Sequence, residues 1–529
     1  MESLETEKLV DDEDPPSKHA DYAGRVPSQL ISDKQPTKGN NGARSSPFSI
    51  LLEPFQWLQM LCSQLNPSFV LGVFLVYGLN QGFAGSYFKV VSDYYWKDVQ
   101  RVQPSSVQLF IGLYYIPWVM KPLWGLLTDV FPVRGYRRRP YFVVAGALGA
   151  ASSLAVAGSK LPVMAALACL IGLTAALAIA DVTIDACIAK NSIEIRTLAP
   201  DMQSLCGFCS SAGALLGYST SGFFVHHAGA QGALGLLAIP AAMLIVLGFM
   251  IYEIRVTHTL HSEKRMIFEK VGAAIRGMRE TIRRPQVWKP SLYMYFSLAL
   301  SFSTHEGQFY WYTDPRAGPA FSQEFVGTIY AIGAMASIVG VLIYQKTLKN
   351  IPFRKLLFSA QLLYGISGML DLVFIRRWNL SFGIPDAFFV IAEECISRVI
   401  SRIRWTPMIV LSAKLCPLGI EGTFFALLMS IDSLGQLSSK WGGGLVLGFM
   451  GVTRTDFHNL WLVILVRNAL RFATLGLIFL VPDADQSDVL IPSDLLSKSY
   501  GLGLGSGGGE EEEGLQLSRI KGNEGDIQD

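Results

Sequence analysis

Residues 116–141 read IPWVMKPLWGLLTDVFPVRGYRRRPY. An apolar helix runs to Gly125, Asp129 follows at its edge, and four arginines, Arg134, Arg137, Arg138 and Arg139, fill a short connection before the next apolar run starts at Tyr141. Two apolar helices joined by a short arginine-rich turn form a membrane hairpin. Arginines in such a turn resist translocation, so the turn marks the cytoplasmic side.

The rest of the chain extends that pattern. Half of its 529 residues are hydrophobic and only 16% are charged, and the apolar residues come in runs of the length that crosses a bilayer as a helix, about 20 residues. Twelve runs are found, near 69–88, 107–127, 141–157, 163–188, 205–225 and 234–251, then 291–311, 325–344, 356–375, 387–411, 424–450 and 460–481. The expected fold is therefore an all-α membrane protein with twelve transmembrane helices, embedded in a lipid bilayer. With the N-terminus inside, the five inner connections hold 20 Lys and Arg against 8 in the six outer ones, so both termini are expected in the cytoplasm. A net charge of +2, with the basic residues in connections between spans, gives no nucleic-acid footprint.

Five segments follow. Residues 1–47 are acidic and poor in apolar residues, expected to be a disordered cytoplasmic tail and neither a signal peptide nor a plastid transit peptide. Residues 48–251 hold six spans, 252–289 form a polar, basic central loop, 290–481 hold six more, and 482–529 form a second disordered cytoplasmic tail with the acidic block Glu510–Glu513. Within the loop, Phe268–Ile282 has amphipathic spacing suited to an anionic membrane surface. The halves repeat. An offset of 215 places Gly112 on Gly327, Gly125 on Gly340 and Arg139 on Arg354, and an offset of 222 places Gly213 on Gly435 and Gly222 on Gly444. Parallel six-span repeats are the pattern of major facilitator proteins.

The Gly-x-x-x-Asp of Gly125 and Asp129 with its basic turn resembles the loop between helices 2 and 3 of major facilitator transporters, lengthened here by Phe131–Arg134. The longer string, Pro117-Trp118, Lys121-Pro122, Gly125, then Gly135-Tyr136-Arg137-Arg138 and Tyr141, resembles the folate-biopterin transporter family. So do Asp181–Lys190 and Leu415–Phe425. The resemblance runs over about 55–481 and implies a major facilitator fold of two six-helix halves, a folate or pterin as small-molecule substrate, and coupling to protons. It further implies that spans 1, 4, 7 and 10 line a central cavity.

Ionisable residues inside a span cost about 2.5–3.5 kcal/mol each on insertion scales, so each calls for a partner or water. Polar and ionisable groups concentrate in those four spans: Asn80 and Gln81 in the first, Asp181 and Asp185 in the fourth, His305 and Glu306 in the seventh, Arg398 and Arg402 in the tenth. Asp181 and Asp185 share a helix face, as do Arg398 and Arg402. Asp181, Asp185, Arg398, Arg402, Glu306, Asn80 and Gln81 are accordingly the candidate substrate-binding or proton-coupling residues, the two aspartates facing the two arginines across the bundle. An alternative is that these pairs only fix helix register. A carboxylate suits the donor edge of a pterin and a guanidinium suits the glutamate of a folate, with Tyr114, Tyr115 or Trp118 as stacking surfaces. Lys121, Gly125, Asp129, Arg137 and Arg138 are the gating candidates, Lys121 with the alternative of snorkelling. Arg467 and Arg471 in the last span are expected at lipid headgroups or the tail. His305 is either a proton carrier or a satisfied interior histidine.

No phosphate-binding loop, zinc-protease motif or nucleophile elbow occurs. Cys206 and Cys209 form a lone C-x-x-C best read as buried packing. A non-enzyme with no cofactor and no metal site is expected, with an ion gradient as its energy source. Two rivals share these features: a carrier of another organic anion, and a membrane sensor or scaffold that does not transport.

Overall fold

The computed structural model describes residues 47–195, 198–253, 281–415 and 421–486, together with positions 255, 272, 276 and 279. Both tails, nearly all of the central loop including most of Phe268–Ile282, and part of the Leu415–Phe425 motif lie outside the described residues. Two units are distinguished, Met1–Gln59 and Met60–Asp529. Of the first, only the start of helix α1 (Pro47–Gln64) is described.

The second unit is nearly all helix. α2 (Pro67–Val99) contains π-helical turns at Phe74–Ala84 and Tyr95–Val99. Its 33 residues exceed the expected first span, because Lys89, Asp93, Lys97 and Asp98 continue the helix. Three short helices follow, α3 (Pro104–Leu113), α4 (Ile116–Val119) and α5 (Lys121–Val130). Where one span was expected, the chain breaks twice, because Pro117 and Pro122 lack the amide that would carry the ladder through. Then come α6 (Arg139–Gly158), α7 (Val163–Glu194), α8 (Ala199–Gly235) and α9 (Ala238–Met250).

Beyond the central loop lie α10 (Pro285–Ala299) and α11 (His305–Tyr312), again two helices where one span was expected. The series ends with α12 (Gln323–Ile343), α13 (Phe353–Ile375), α14 (Trp378–Ser381), α15 (Asp386–Lys414), α16 (Glu421–Phe449) and α17 (Leu460–Ala473). Among the described residues, seven helices are long and apolar enough to cross a membrane, one of them the 201–250 stretch that holds two of the expected runs. Large apolar side chains such as Phe208, Phe223, Phe249 and Leu445 stand exposed, the outward face expected of a protein whose solvent there is lipid.

The arginine-rich connection folds as a tight turn. Val133 and Tyr136 exchange backbone hydrogen bonds of 2.9 and 3.1 Å, and Arg134 and Gly135 between them both have positive φ. A two-residue turn of that kind needs left-handed backbone at both positions, which explains the glycine. Small residues set the helix packing. A Cβ on Gly213 of α8 would strike the Gly78 and Phe83 backbone of α2, and one on Gly435 of α16 would lie 3.1 Å from Leu298 of α10. Without a hydrophobic driving force between helices in lipid, such close approach is what holds them together.

One end of the bundle is sewn shut. Around the 99–104, 313–322 and 450–459 connections, Tyr310 donates to the Val102 carbonyl at 3.0 Å, Lys97 Nζ bonds Thr313 Oγ1 at 2.5 Å, and the Arg454 amide donates to Gln103 Oε1 at 3.0 Å. An aromatic core fills this end, with Tyr94 edge-on to Phe309 at 4.9 Å between centroids.

Candidate functional site

Asp181, on α7, is 2% exposed. Its carboxylate accepts from Lys121 Nζ of α5 at 2.5 Å and from Gln81 Nε2 of α2 at 3.0 Å. One turn on, Asp185 is exposed and accepts a short hydrogen bond from the Tyr77 hydroxyl. Lys121 also lies over the Trp118 ring, 4.8 Å from its centroid. Gln81 and Tyr77 are four apart on α2, as Asp181 and Asp185 are on α7, so two helix faces meet as a polar seam. A carboxylate held by one phenol and open to solvent inside an apolar helix can accept paired N–H donors from a ligand.

The expected pairing of these aspartates with Arg398 and Arg402 does not occur. Arg398 Nε is taken by Glu394 at 2.6 Å, one turn back on its own helix, and Arg402 Nε by Ser337 of α12 at 3.1 Å. Neighbours at i and i+4 are always within reach on a helix face, whereas an acid on a distant helix is not. Asn80 also departs from the expected cavity position: it is buried and donates to the Leu75 and Pro240 carbonyls at 2.9 and 3.1 Å. Adjacent helical residues do not face one way, so Asn80 and Gln81 part. Tyr114 is no free stacking surface, since it is buried under Phe88 and accepts from Trp96 Nε1 at 2.7 Å. Tyr115 and Trp118 remain half-buried.

Tyr330 of α12, which sequence reasoning did not single out, is a second focus. Lys89 lies 5.1 Å and Arg398 5.9 Å from its ring centroid, the Tyr218 ring packs at 5.7 Å, and its hydroxyl meets that of Tyr312 at 3.1 Å. Two cations over one aromatic ring suit an anionic, flat ligand. Its sequence signal is the offset of 215, which also places Tyr115 on Tyr330.

Arg467 and Arg471 do not reach lipid headgroups. Arg467 is 3% exposed, bonds Asp371 of α13 at 2.5 Å and Thr304 at 2.6 Å, while Arg471 and Arg404 flank the Tyr364 ring at 4.0 and 4.3 Å. Buried guanidinium groups need carboxylates and aromatic faces, and α13 supplies both. His305 and Glu306 lie apart from the Asp181–Asp185 seam, at the closed end beside Asp93.

Of the gating candidates, Lys121 belongs to the Asp181 seam, and a Cβ on Gly125 would be in ordinary contact with Val182 of α7. The side chain of Asp129 lies outside the described residues. The amides of Arg137, Arg138 and Arg139 converge on the Glu253 carboxylate at 2.6–3.1 Å, capping the start of α6. A carboxylate at a helix N-terminus satisfies amides that have no partner within the helix. Arg138 Nη1 adds a bond to Thr128 at 2.7 Å, and Arg139 Nε one to the Ile251 carbonyl at 2.8 Å. Sequence reading passed over Glu253 because it lies 114 residues from the turn it caps.

Residues 81–495 match the model of the BT1 family. The chain is 63% identical to "Probable folate-biopterin transporter 6" of Arabidopsis thaliana, over 94% of this chain and 97% of that one. It is 30% identical to "Folate-biopterin transporter" of Synechocystis sp., over 75% and 78%. In fold it is similar to the D-xylose-proton symporter, with a TM-score of 0.56 and 14% identity, covering 79% of this chain and 98% of the other. This likeness is one of fold. With its helical hairpins, its glycine seams and a family match spanning most of its length, this chain belongs to the BT1 family of folate-biopterin transporters.

Proposed function

We propose that the protein carries folates or related pterins across a membrane by alternating access, coupled to protons, on twelve transmembrane helices in two six-helix halves. The observation that carries this reading is Asp185, an exposed carboxylate within the apolar helix α7, backed by the Lys121–Asp181 pair and Gln81. A charged seam inside apolar helices needs water or a polar ligand. The relatives' names point to the cargo.

Matching contacts support the two halves, taken as 48–251 and 290–481. Arg139 Nε donates to the Ile251 carbonyl, and its repeat partner Arg354 donates to the Val481 carbonyl at 3.0 Å. Glu253 and Asp483 each follow that carbonyl by two residues. Gly222 faces Gln323 and Gly327 of α12, and its partner Gly444 faces Ser105 and Leu109 of α3. Swapping the halves therefore reproduces the contacts. In this reading the broken spans α3–α5 and α10–α11, the polar helix α15, α16 and the double stretch 201–250 bring the seven apolar helices to twelve spans.

The excess of Lys and Arg in one set of connections supports an inner arginine turn and, with it, cytoplasmic termini. The sewn end is then the outer one, and the protein faces inward. In this reading Asp185 accepts the N3–H and 2-amino pair of the pterin, and Arg402, Arg398 and Lys89 receive the carboxylates.

Uptake of labelled folate, and of a pterin lacking the glutamate, into proteoliposomes tests the proposal against unrelated anions. Asp185→Asn is expected to impair both substrates, and Arg402→Ala to weaken folate more than the pterin, by about tenfold for the 1.4 kcal/mol that one such contact carries. Equal losses on Arg402→Ala make that arginine structural and overturn the binding arrangement. Transport of other anions with none of folate overturns the cargo.

A further inference from the structure

We propose that Asp93, His305 and Glu306 together hold the coupling proton, across the seam between α2 and α11. The assignment rests on the proposed transport function and adds to it the place where the driving ion sits. His305 Nε2 lies 2.9 Å from Asp93 Oδ2 and 3.8 Å from Glu306 Oε1, and one ligand atom from each of the three residues lies within 4.8 Å of the others. Glu306 is 0% exposed, and neither of its carboxylate oxygens has a hydrogen-bond partner. Its amide is satisfied, donating to Gln108 Oε1 at 3.0 Å, while Gln108 Nε2 has no partner. A buried carboxylate without hydrogen bonds is costly in its charged form, and one proton relieves it.

The surroundings fit a mobile proton. Lys89 on α2 and Lys440 on α16 are the cations near enough to act on both His305 and Glu306. Lys440 spends its visible bond on Ser303 Oγ at 3.1 Å. Among the described residues, the other titratable groups about the trio include the phenols of Tyr94, Tyr114, Tyr310, Tyr312 and Tyr330. With both lysines charged, His305 neutral and both carboxylates ionised, the cluster is neutral; one added proton makes it +1. An anionic substrate offsets that charge, and Tyr330 connects the two places: the His305 ring lies 6.3 Å from it, and Lys89 stands over its face. A metal ion fits less well. His305 and Asp93 already stand at hydrogen-bond distance, metal–nitrogen bonds are about 2.0–2.1 Å, and two ammonium groups lie close by.

The trio also joins the parts that must separate. Asp93 belongs to α2 and the other two residues to α11, beside the Lys97–Thr313 and Tyr310–Val102 bonds of the sewn end. Opening that end parts Asp93 from His305 and exposes Glu306 to protons; closing it traps the proton inside.

The test uses the full-length protein in proteoliposomes, comparing labelled-folate accumulation under an imposed acid-outside gradient with folate counterflow at equal pH. Glu306→Gln is expected to abolish gradient-driven accumulation while keeping counterflow. His305→Gln, as a second variant, is expected to do the same. Wild-type accumulation in Glu306→Gln, or accumulation that follows a sodium or divalent-metal gradient with pH clamped, overturns the assignment. If the wild-type protein moves no folate at all, the function proposed above fails, and a proton titration of the detergent-solubilised protein decides the site separately. Glu306→Gln is then expected to take up one proton fewer on acidification than the wild type, whereas identical titrations overturn the site.

Discussion

Replacing Lys121 with methionine is expected to unfold the protein several degrees earlier and to abolish uptake. Asp181 is buried against α2 and α5, and once its cation is removed Gln81 is its one remaining hydrogen-bond partner among the described residues. Breaking a buried pair from one side costs about 3–5 kcal/mol, because the charge left behind keeps its desolvation penalty. For a chain of this size that corresponds to roughly 3–6 °C or more in the melting temperature. Methionine keeps the stem length over Trp118, so the loss reports charge rather than packing. Removing both charges, as Lys121→Met with Asp181→Asn, is expected to restore most of the stability, since a neutral pair of similar volume carries no such penalty. Uptake is expected to stay lost in the double variant if the seam binds substrate. Fluorescence-monitored melting in detergent measures the first effect and proteoliposome uptake the second. A single variant as stable as the wild type would refute the pairing, and normal uptake in the double variant would make it purely structural.

The Lys121–Asp181 pair also shows where sequence reading stops. That Asp181 needs a partner follows from its place in an apolar run, and the apolar runs themselves are legible because a bilayer tolerates little else. Which cation answers depends on helix rotation and on the breaks at Pro117 and Pro122, which bring Lys121 toward α7. Arg398 and Arg402 had the right charge and span, but Glu394 and Ser337 were nearer. Asp93 was invisible for a related reason: the first span was ended at Phe88 because charges follow it, yet those charges pair inward, so the helix continues. Glu253 is the reverse case. Its acidity was ordinary in a polar connection, and only the fold brings the start of α6 to it. The repeat is sparse in sequence because only glycines at close approaches and arginines on carbonyls are constrained by geometry, whereas the residues between them are free to vary.

Gly222→Leu is expected to hold the sewn end open and to stop net transport. A Cβ at this position falls well inside contact distance of the Gln323 carbonyl, and one at Gly327 opposite would sit 2.9 Å from the Tyr218 carbonyl and 3.2 Å from the Gly222 amide. The obstacles are backbone atoms, so no rotamer change relieves them; α8 and α12 must move apart. Overpacking of this kind costs about 1–3 kcal/mol, paid only in the closed form, which shifts the closed-to-open ratio by roughly 5- to 150-fold. Gly207, on the same helix with open space at its Cβ position, is the control, and Gly207→Leu is expected to leave uptake unchanged. A cysteine at Ser105, beside Gly444 in the matching seam between α3 and α16, reads the state directly. Its modification by a membrane-impermeant maleimide is expected to speed up in Gly222→Leu and not in Gly207→Leu. Folate uptake at the wild-type rate, with an unchanged labelling rate at position 105, would show that the two helices need not close here, and the alternating-access reading of this seam would fall.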